Sequence, residues 1–435
     1  MQSRGSRSVL APLLIAQFLG AFIDNAWKLI VAFLGIRSVA EKFGSAGPEF
    51  EAAAQTQVTV AFLVLALPLM LVSLPAGILS DRMSKRTLII VLKGVEVALM
   101  AGGTLALLAD PAGGLVFLFI VLGLTGAQSA LLSPAKYGIL PELLPQEQLP
   151  EGNGLLEMWT FFAIILGTYS GGLLLGLAGN APWLAGLALT VLALAGFLVS
   201  WAIPIVPPAR SEGGVSAAVR GAWAAIRADR VLRGAVAGTI FFWALASLVS
   251  QDILVYAKAV LGLSEAMVGL PLTVLAFGIG VGSLLAGRLS RGTVEYGLIP
   301  SGALGIALVT LLIGLHAPGV GGTFLLMALL GLASGLVVVP LNVLIQWKSP
   351  GDRRGAVIAF SNVFVFGGVI IGSLSVEMLS RLGLSPREIF LAASGIAGAG
   401  ALWALWLLGR AFLSFVAGVV FRVGGGLSDS PQDRE

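Results

Sequence analysis

Long runs of apolar residues, separated by short polar segments, recur along the whole chain of 435 residues. Each run has about the 20 residues that a helix needs to cross the hydrocarbon core of a bilayer. Most of the short segments contain glycine, proline or charge, as in DPAGG at 110–114, which is typical of turns between helices. The pattern predicts twelve membrane-spanning helices near 9–36, 56–80, 87–109, 114–133, 153–178, 183–203, 234–257, 265–287, 294–315, 321–346, 355–380 and 386–415.

The composition agrees with a membrane location. Hydrophobic residues make up 57% of the chain and charged residues 11%, which leaves too few charges to cover a soluble protein of this size. The net charge of +4 is small for the length and gives no reason to expect a nucleic-acid partner. The chain has no cysteine, which excludes disulfides, thiolate chemistry and cysteine metal sites. We therefore predict an all-α polytopic membrane protein.

One connection is much longer than the others and divides the predicted helices six and six. This connection, 204–233, starts with proline, is basic and is expected to include a surface helix. AGILSDRMSKRTL at 76–88 aligns with GSLLAGRLSRGTV at 282–294, and the same offset places Pro134 on Pro340. The agreement predicts a duplicated six-helix unit. The predicted domains are a bundle at 1–203, a cytoplasmic linker at 204–233, a second bundle at 234–415 and a cytoplasmic tail at 416–435.

Lysine and arginine are unevenly distributed between alternate connections. With the N-terminus inside, the inner segments hold nineteen of the 26 basic residues, the outer segments hold five, and the spans hold Lys28 and Lys93. Because cytoplasmic loops collect lysine and arginine, both termini are predicted to be cytoplasmic. The first apolar run is too long for a secretory signal and lacks a small-residue cleavage site, so we expect it to be retained as the first helix.

Polar side chains interrupt the first predicted helix at FIDNAWK, residues 22–28. Gln17, Asp24 and Lys28 share one helical face, because intervals of seven and four residues return to the same side. Asp24 before Lys28 is also the favourable order for an intrahelical ion pair. Each charge costs about 2.5–3.5 kcal/mol at the centre of a span, so these groups are expected to face the protein interior.

The third predicted helix carries a second pair of charges, Lys93 and Glu96, one turn apart. Two interpretations remain open for both pairs: they fix helix packing, or they bind a zwitterionic headgroup whose phosphate meets a lysine and whose ammonium meets a carboxylate. We favour binding, because ionisable groups inside membranes are functional candidates by default. The candidate substrate-binding residues are Gln17, Asp24, Asn25, Lys28, Lys93, Glu96, Glu157, Asp252, Asn342 and Gln346, and the last four are equally compatible with packing.

GILSDRMSKR at 77–86 resembles the signature G-x-L-x-D-R-x-x-[KR]-[KR] of the major facilitator superfamily, with Ser84 where glycine is usual. Gly77 permits close approach of helices, and Asp81 can meet the positive N-terminus of a helix from the other half. In the second half Gly287 replaces the acid, so we expect one strong contact of this type. The resemblance implies two six-helix halves with the substrate between them. The candidate gating residues are Gly77, Asp81, Arg82, Arg86, Lys136 and Arg288.

Further stretches are similar to the bacterial lysophospholipid transporters, and the resemblance spans essentially the whole chain. They are QFLGAFIDNAWK at 17–28, LKGVEVALM at 92–100, SPAKYGILPELLP at 133–145, GNGLLEMWTFFAIILGTYSGG at 152–172, LLAGRLSRGTVEYGLIP at 284–300 and PLNVLIQWKSPGDRRGAVIAFSN at 340–362. The resemblance implies a flippase of the bacterial inner membrane that moves lysophosphatidylethanolamine and similar lipids from the outer to the inner leaflet by alternating access, for reacylation. The implied protein is a monomer without cofactor or metal, and its partners are the lysophospholipid, membrane lipids and a separately encoded acyltransferase, if one exists.

The sequence leaves one other class of membrane protein open and argues against two more. A proton-coupled major facilitator exporter of drugs or small metabolites shares the fold and the 77–86 signature, with Asp24 or Glu96 as its titrating group. An ATP-driven pump is excluded, because no lysine follows a glycine and the chain therefore has no P-loop. A membrane acyltransferase would need a histidine with an aspartate five residues on. The single histidine, His316, has Gly321 at that distance, so we predict that the chain is not an enzyme.

Overall fold

The computed structural model describes residues 2–43, 48–109, 115–208, 214–263, 267–290 and 294–425, and these contain no β-strand. The DPAGG connection, part of the linker and the last ten residues of the tail lie outside the described residues. The helices are α1 (Gln2–Phe43), α2 (Pro48–Arg82), α3 (Lys85–Ala109), α4 (Leu115–Gly138), α5 (Leu140–Leu143), α6 (Leu149–Ala178), α7 (Trp183–Ser200), α8 (Val215–Ala228), α9 (Arg230–Ala259), α10 (Leu270–Leu289), α11 (Leu298–His316), α12 (Val320–Lys348), α13 (Arg354–Arg381) and α14 (Pro386–Gly425).

Twelve of the described helices are long and apolar enough to cross a membrane, which confirms the number predicted from the sequence. The two short ones are α5, which follows α4, and α8, which lies in the linker. Several helices extend past their predicted spans, and α1 already begins at Gln2 and α14 ends at Gly425. The reason is that apolar patterning marks only the part of a helix that lipid would surround, whereas helical hydrogen bonding continues into the polar flanks.

The contacts divide the chain into two compact units, and the first contains residues 1–145, 159–236 and 345–366. The core of this unit surrounds Trp27 of α1, whose side chain is fully buried. Gly103 of α3 faces the indole, and a Cβ at that position would lie 2.6 Å from the ring. Glycine is therefore needed at Gly103 because the tryptophan occupies the space of a side chain.

The second unit contains residues 146–158, 237–344 and 367–435. Within it α11 packs along α14, and α10 approaches α12 where Gly278 and Gly331 face each other. Each unit therefore includes a short piece from the other half of the sequence, at 345–366 and 146–158. The predicted domain boundaries at 203 and 234, which follow the sequence halves, stay predictions.

Candidate functional site

Asp24 of α1 is held by α4 and is only half satisfied. Its Oδ2 accepts a hydrogen bond of 2.5 Å from the Ser129 hydroxyl. Its Oδ1 is buried and accepts no hydrogen bond from any described residue. Oδ1 of Asp24 can therefore still accept a hydrogen bond. A buried acceptor without a donor costs free energy, so a donor at this position would be stabilising.

Asn25 and Lys28 form a short chain of hydrogen bonds on α1. The Asn25 amide donates to the Ala21 carbonyl at 2.8 Å, and its Oδ1 accepts from Lys28 Nζ at 2.9 Å. Lys28 thus donates to Asn25, and the charge of Asp24 one turn earlier also acts on its ammonium. The Lys28 side chain is buried and lies four residues, about one helical turn, after the half-satisfied carboxylate of Asp24.

Lys93 and Glu96 of α3 form an ion pair of 2.7 Å, and each side chain is 1% exposed. The pair lies against glycines of two other helices: a Cβ on Gly20 of α1 would be 3.2 Å from Glu96 Oε1, and a Cβ on Gly196 of α7 would be 3.9 Å from Lys93 Nζ. The absence of side chains at these glycines makes room for the pair between α1, α3 and α7. Glu96, Lys93 and Lys136 are also the charges that act on the Asp24 carboxyl through space.

Two residues of α4, Gln128 and Ser129, belong to this cluster and were not among the sequence candidates. Gln128 donates to the Leu92 carbonyl of α3 at 3.1 Å, and Ser129 binds Asp24. Neutral polar side chains are tolerated in membrane helices, so they attract less attention than charges. The available signal was this adjacent pair of polar residues in the mostly apolar run 115–133. On the same unit, Gln17 donates to Thr160 of α6 at 3.3 Å.

The other binding candidates belong to both units. Glu157 of α6 accepts a hydrogen bond of 3.0 Å from the Asn342 amide of α12, and both belong to the second unit. Asp252 of α9, in that unit too, is buried. Gln346 lies in the first unit, where its backbone carbonyl accepts a hydrogen bond of 2.9 Å from Arg354. The ten candidates thus belong to two units, and their common role in binding stays a prediction.

Asp81, at the end of α2, meets the N-terminus of α13, a helix from the second half of the sequence. Its two oxygens accept hydrogen bonds of 2.7 Å each from the backbone amides of Gly355 and Ala356. Gly77, one turn earlier, packs against the same turn, and a Cβ there would lie 2.6 Å from the Gly355 carbonyl oxygen. The carboxylate supplies acceptors for amides that a helix leaves unpaired at its first turn, and its charge complements the helix dipole.

The remaining gating candidates have different contacts. Arg86 donates to the carbonyls of Ile203 at 2.6 Å and of Trp201 at 2.8 Å, so it ties the start of α3 to the end of α7. Lys136 lies over the Tyr137 ring at 5.1 Å. The side chains of Arg82 and Arg288 are exposed.

An ion pair that the sequence did not predict joins α3 to α5. Lys85 is fully buried and binds Glu142 of α5 at 2.5 Å. Nothing in the sequence pairs residues 57 positions apart, and the contact depends on the turn between α4 and α5.

Comparisons with known proteins identify relatives along almost the whole chain. The family model of the Major Facilitator Superfamily matches residues 13–373. The chain is 29% identical to the lysophospholipid transporter LplT of Klebsiella pneumoniae, over 93% of this chain and 96% of that protein. It is also 29% identical to LplT of Yersinia enterocolitica, over 82% and 83% of the two chains. The crystal structure of the human organic anion transporter MFSD10 superposes with a TM-score of 0.69 at 16% identity, over 92% of this chain and 99% of that one.

Proposed function

We propose, from the premise that this chain belongs to the major facilitator superfamily, that it transports lysophospholipids across a bacterial inner membrane. The observation that carries the proposal is the similarity to lysophospholipid transporters over 93% of the chain. The twelve apolar helices supply the multi-pass architecture that such transport requires. In this proposal the lipid moves from the outer to the inner leaflet by alternating access, and another protein reacylates it.

The substrate headgroup is proposed to bind at Asp24 and Lys28. A zwitterionic headgroup needs an acceptor for its ammonium and a cation for its phosphate, and α1 carries one of each a single turn apart. The half-satisfied carboxylate supports this assignment, because the unused Oδ1 of Asp24 is an acceptor in place for an N–H donor. Ser129 fixes the other oxygen and so holds the carboxylate orientation.

Lys93 and Glu96 are proposed to support this site without contacting the headgroup. Each neutralises the other at 2.7 Å and both are almost completely buried, so a headgroup would first have to break an ion pair. Breaking a buried pair by removing one partner leaves an uncompensated charge, at a cost of about 3–5 kcal/mol. In this proposal the pair holds α3 against α1, and its two charges act on the carboxyl group of Asp24.

The contact of Asp81 with the N-terminus of α13 is proposed to stabilise one state of the transport cycle. It joins helices from the two sequence halves through charge-assisted hydrogen bonds. Gly77 and the gating candidates around it would then change their contacts when the other state forms. Alternating access requires such contacts to be reversible, which hydrogen bonds to backbone amides allow.

Transport of two lysolipids by Asp24→Asn tests the headgroup assignment. In proteoliposomes we expect the wild type to move lysophosphatidylethanolamine and lysophosphatidylglycerol. The variant should lose about tenfold or more of its rate for lysophosphatidylethanolamine, since a hydrogen bond to a charged group contributes about 1.5–3 kcal/mol. Lysophosphatidylglycerol, which has no ammonium, should be affected much less. Glu41→Gln, which changes an exposed carboxylate on the same helix, is the matched control.

Other outcomes of this experiment would favour a different role for Asp24 or a different function for the protein. Equal loss for both lipids would remove the ammonium contact, and recovery in the double variant Asp24→Asn with Lys28→Gln would show that Asp24 only neutralises Lys28. A wild type that moves neither lysolipid but expels a small solute when a pH gradient is imposed would replace the proposal with the proton-coupled exporter.

The orientation of the chain is proposed from the excess of basic residues in alternate connections. Cysteines introduced at Ser216 of α8 and at Asp352, both exposed, should resist an impermeant thiol reagent added outside intact cells. A cysteine at the exposed Asn180, between α6 and α7, should react. Labelling of Asp352→Cys from outside would overturn the orientation.

A further inference from the structure

The basic residues around α8 form one exposed surface at the end of a membrane-spanning helix. Arg220, Trp223 and Arg227 are exposed and recur at intervals of three and four residues, so they share one face of α8. Arg230 and Arg233, three residues apart, are exposed in the first turn of α9. These four arginines and the indole are called the arginine surface below.

The opposite face of α8 fixes the helix to the protein. Ala222 and Ile226 are buried, with exposed fractions of 0% and 4%, and α8 packs against α2. The Trp223 ring also contacts the Phe360 ring of α13, with centroids 6.1 Å apart. The helix is therefore amphipathic, and the backbone that carries its arginines has a fixed position.

Arginines of the two helices meet where α8 ends. The Arg233 guanidinium donates to the Arg227 carbonyl at 3.2 Å, and the Arg227 guanidinium lies 5.8 Å from the centre of the Trp223 ring. A guanidinium has five N–H donors, and the bond of Arg233 uses one of them. Most donors of the arginine surface are therefore available to an acceptor from outside the chain.

No carboxylate among the described residues neutralises these arginines. None of the four makes an ion pair there. Asp229, between the two helices, accepts hydrogen bonds from the backbone amides of Val231 at 2.7 Å and Leu232 at 2.9 Å, which caps the start of α9. Asp352 pairs with Arg353 at 3.2 Å. The arginine surface therefore carries an excess of positive charge.

The position of this surface matches that of lipid phosphates. From Arg230 onwards α9 is apolar enough to cross a membrane, so the arginines lie at the depth where a bilayer places its headgroups. Trp223 is 48% exposed, and exposed tryptophans are typical of the same interface. Guanidinium groups bind phosphate oxygens with paired N–H donors. A zwitterionic headgroup brings its own ammonium, whereas an anionic phospholipid leaves its phosphate charge to the arginines.

We propose that the arginine surface binds the headgroup of an anionic phospholipid of the surrounding bilayer, such as phosphatidylglycerol. The bound lipid fixes α8, and with it the connection between α7 and α9, to the membrane surface. The site is separate from Asp24 and Lys28 of α1, and its ligand is a two-chain lipid that stays in the bilayer. The binding therefore does not depend on the proposed transport of lysophospholipids.

Lipid retention by the purified protein tests the binding without any lysolipid. The protein is incubated in mixed micelles with equal amounts of phosphatidylglycerol and phosphatidylcholine and repurified, and the retained lipids are quantified by mass spectrometry. We expect the wild type to enrich phosphatidylglycerol about fivefold or more, the preference that one arginine near an anionic lipid surface supplies. Replacing all four arginines with glutamine should remove most of this enrichment. A salt concentration of about 0.5 M should weaken it in the wild type, because salt screens exposed charges.

Two further variants isolate the contribution of the arginine surface. The double variant Arg220→Gln with Arg230→Gln keeps both the Arg233 hydrogen bond and the Arg227 ring contact, so it should fold and lose about half of the enrichment. A matched control removes four positive charges elsewhere and should keep the enrichment. Its glutamines replace the exposed residues Arg37, Lys42, Lys258 and Arg381.

The wild type and the variants can each overturn the proposal. Equal retention of the two lipids by the wild type would do so, and so would full enrichment in the double variant or an equal loss in the matched control. The double variant decides the outcome if the fourfold variant does not fold. Inorganic phosphate at the concentration of the lipid should not displace phosphatidylglycerol, and displacement would indicate a site for free phosphate instead. Binding of polyglutamate without any preference between the lipids would indicate an acidic protein partner, and the proposal would again be wrong.

Discussion

Two helix junctions of this protein are related by the internal repeat, yet only one carries a buried acid. The first junction joins α2 to the start of α13 through Gly77, Asp81 and Gly355, within the first unit. The second joins α10 to the start of α6 through Gly287 and Gly154, within the second unit. The offset of the repeat places Gly287 on the position of Asp81, so the two junctions are direct counterparts.

Close helix approach is common to both junctions. A Cβ on Gly77 would lie 2.6 Å from the Gly355 carbonyl oxygen, and a Cβ on Gly154 would lie 2.5 Å from the Ser283 carbonyl oxygen. Only the first junction contains a charged contact. Asp81 binds two backbone amides there, whereas Gly287 at the second junction packs directly on α6. A Cβ at Gly287 would be 2.8 Å from the Pro150 carbonyl oxygen. Close packing is therefore common to the two positions that the repeat aligns, whereas the charged contact needs room for a side chain, which the second junction lacks.

Removing the acid of the first junction should produce the largest effect. Asp81→Ala leaves the amides of Gly355 and Ala356 buried without their acceptor, and we expect a loss of about 2–3 kcal/mol of stability. The melting temperature should fall clearly, and lysolipid flux should fall with it if the contact stabilises one state of the cycle. Thermal denaturation in detergent and proteoliposome flux measure the two effects.

The control for this variant is Asp352→Ala, two residues before α13. Asp352 is exposed and pairs with Arg353 at 3.2 Å, and exposed pairs contribute about 0–1 kcal/mol. If the two alanine variants lost equal stability, the special role of Asp81 would be wrong.

Placing an acid in the second junction should lower the stability of the protein, by less than Asp81→Ala does. Gly287→Asp brings a carboxylate to the N-terminus of α6, which favours negative charge by up to about 1 kcal/mol. The added side chain collides with Pro150, and overpacking costs about 1–3 kcal/mol. We expect a net loss of about 1 kcal/mol, measured by thermal denaturation.

Gly234→Asp is the matched control for that variant, because a Cβ at Gly234 meets no described atom within 4 Å. It should change stability by less than Gly287→Asp does. A stabilised Gly287→Asp would show that the second junction accommodates a contact like that of Asp81, and the steric explanation of the asymmetry would fail.

The membrane architecture could be predicted from the sequence alone, because the length and the apolarity of each run are local properties. The twelve spans and the superfamily of the signature at 77–86 followed from one-dimensional patterns, and the division at 203 and 234 stays a prediction. The meeting of Asp81 with a helix N-terminus was also predictable, since an acid at a repeat boundary has few suitable donors within a membrane.

The contacts between polar side chains could not be predicted without the packed helices. Ser129 binds Asp24 across 105 positions, and Lys85 binds Glu142 across 57. The same structure leaves Asp252 with no described donor. Such contacts depend on the rotation and the approach of whole helices, which glycines such as Gly20 and Gly103 permit but do not specify. A helical pattern fixes the face that a side chain occupies, and packing alone fixes the side chain that it meets.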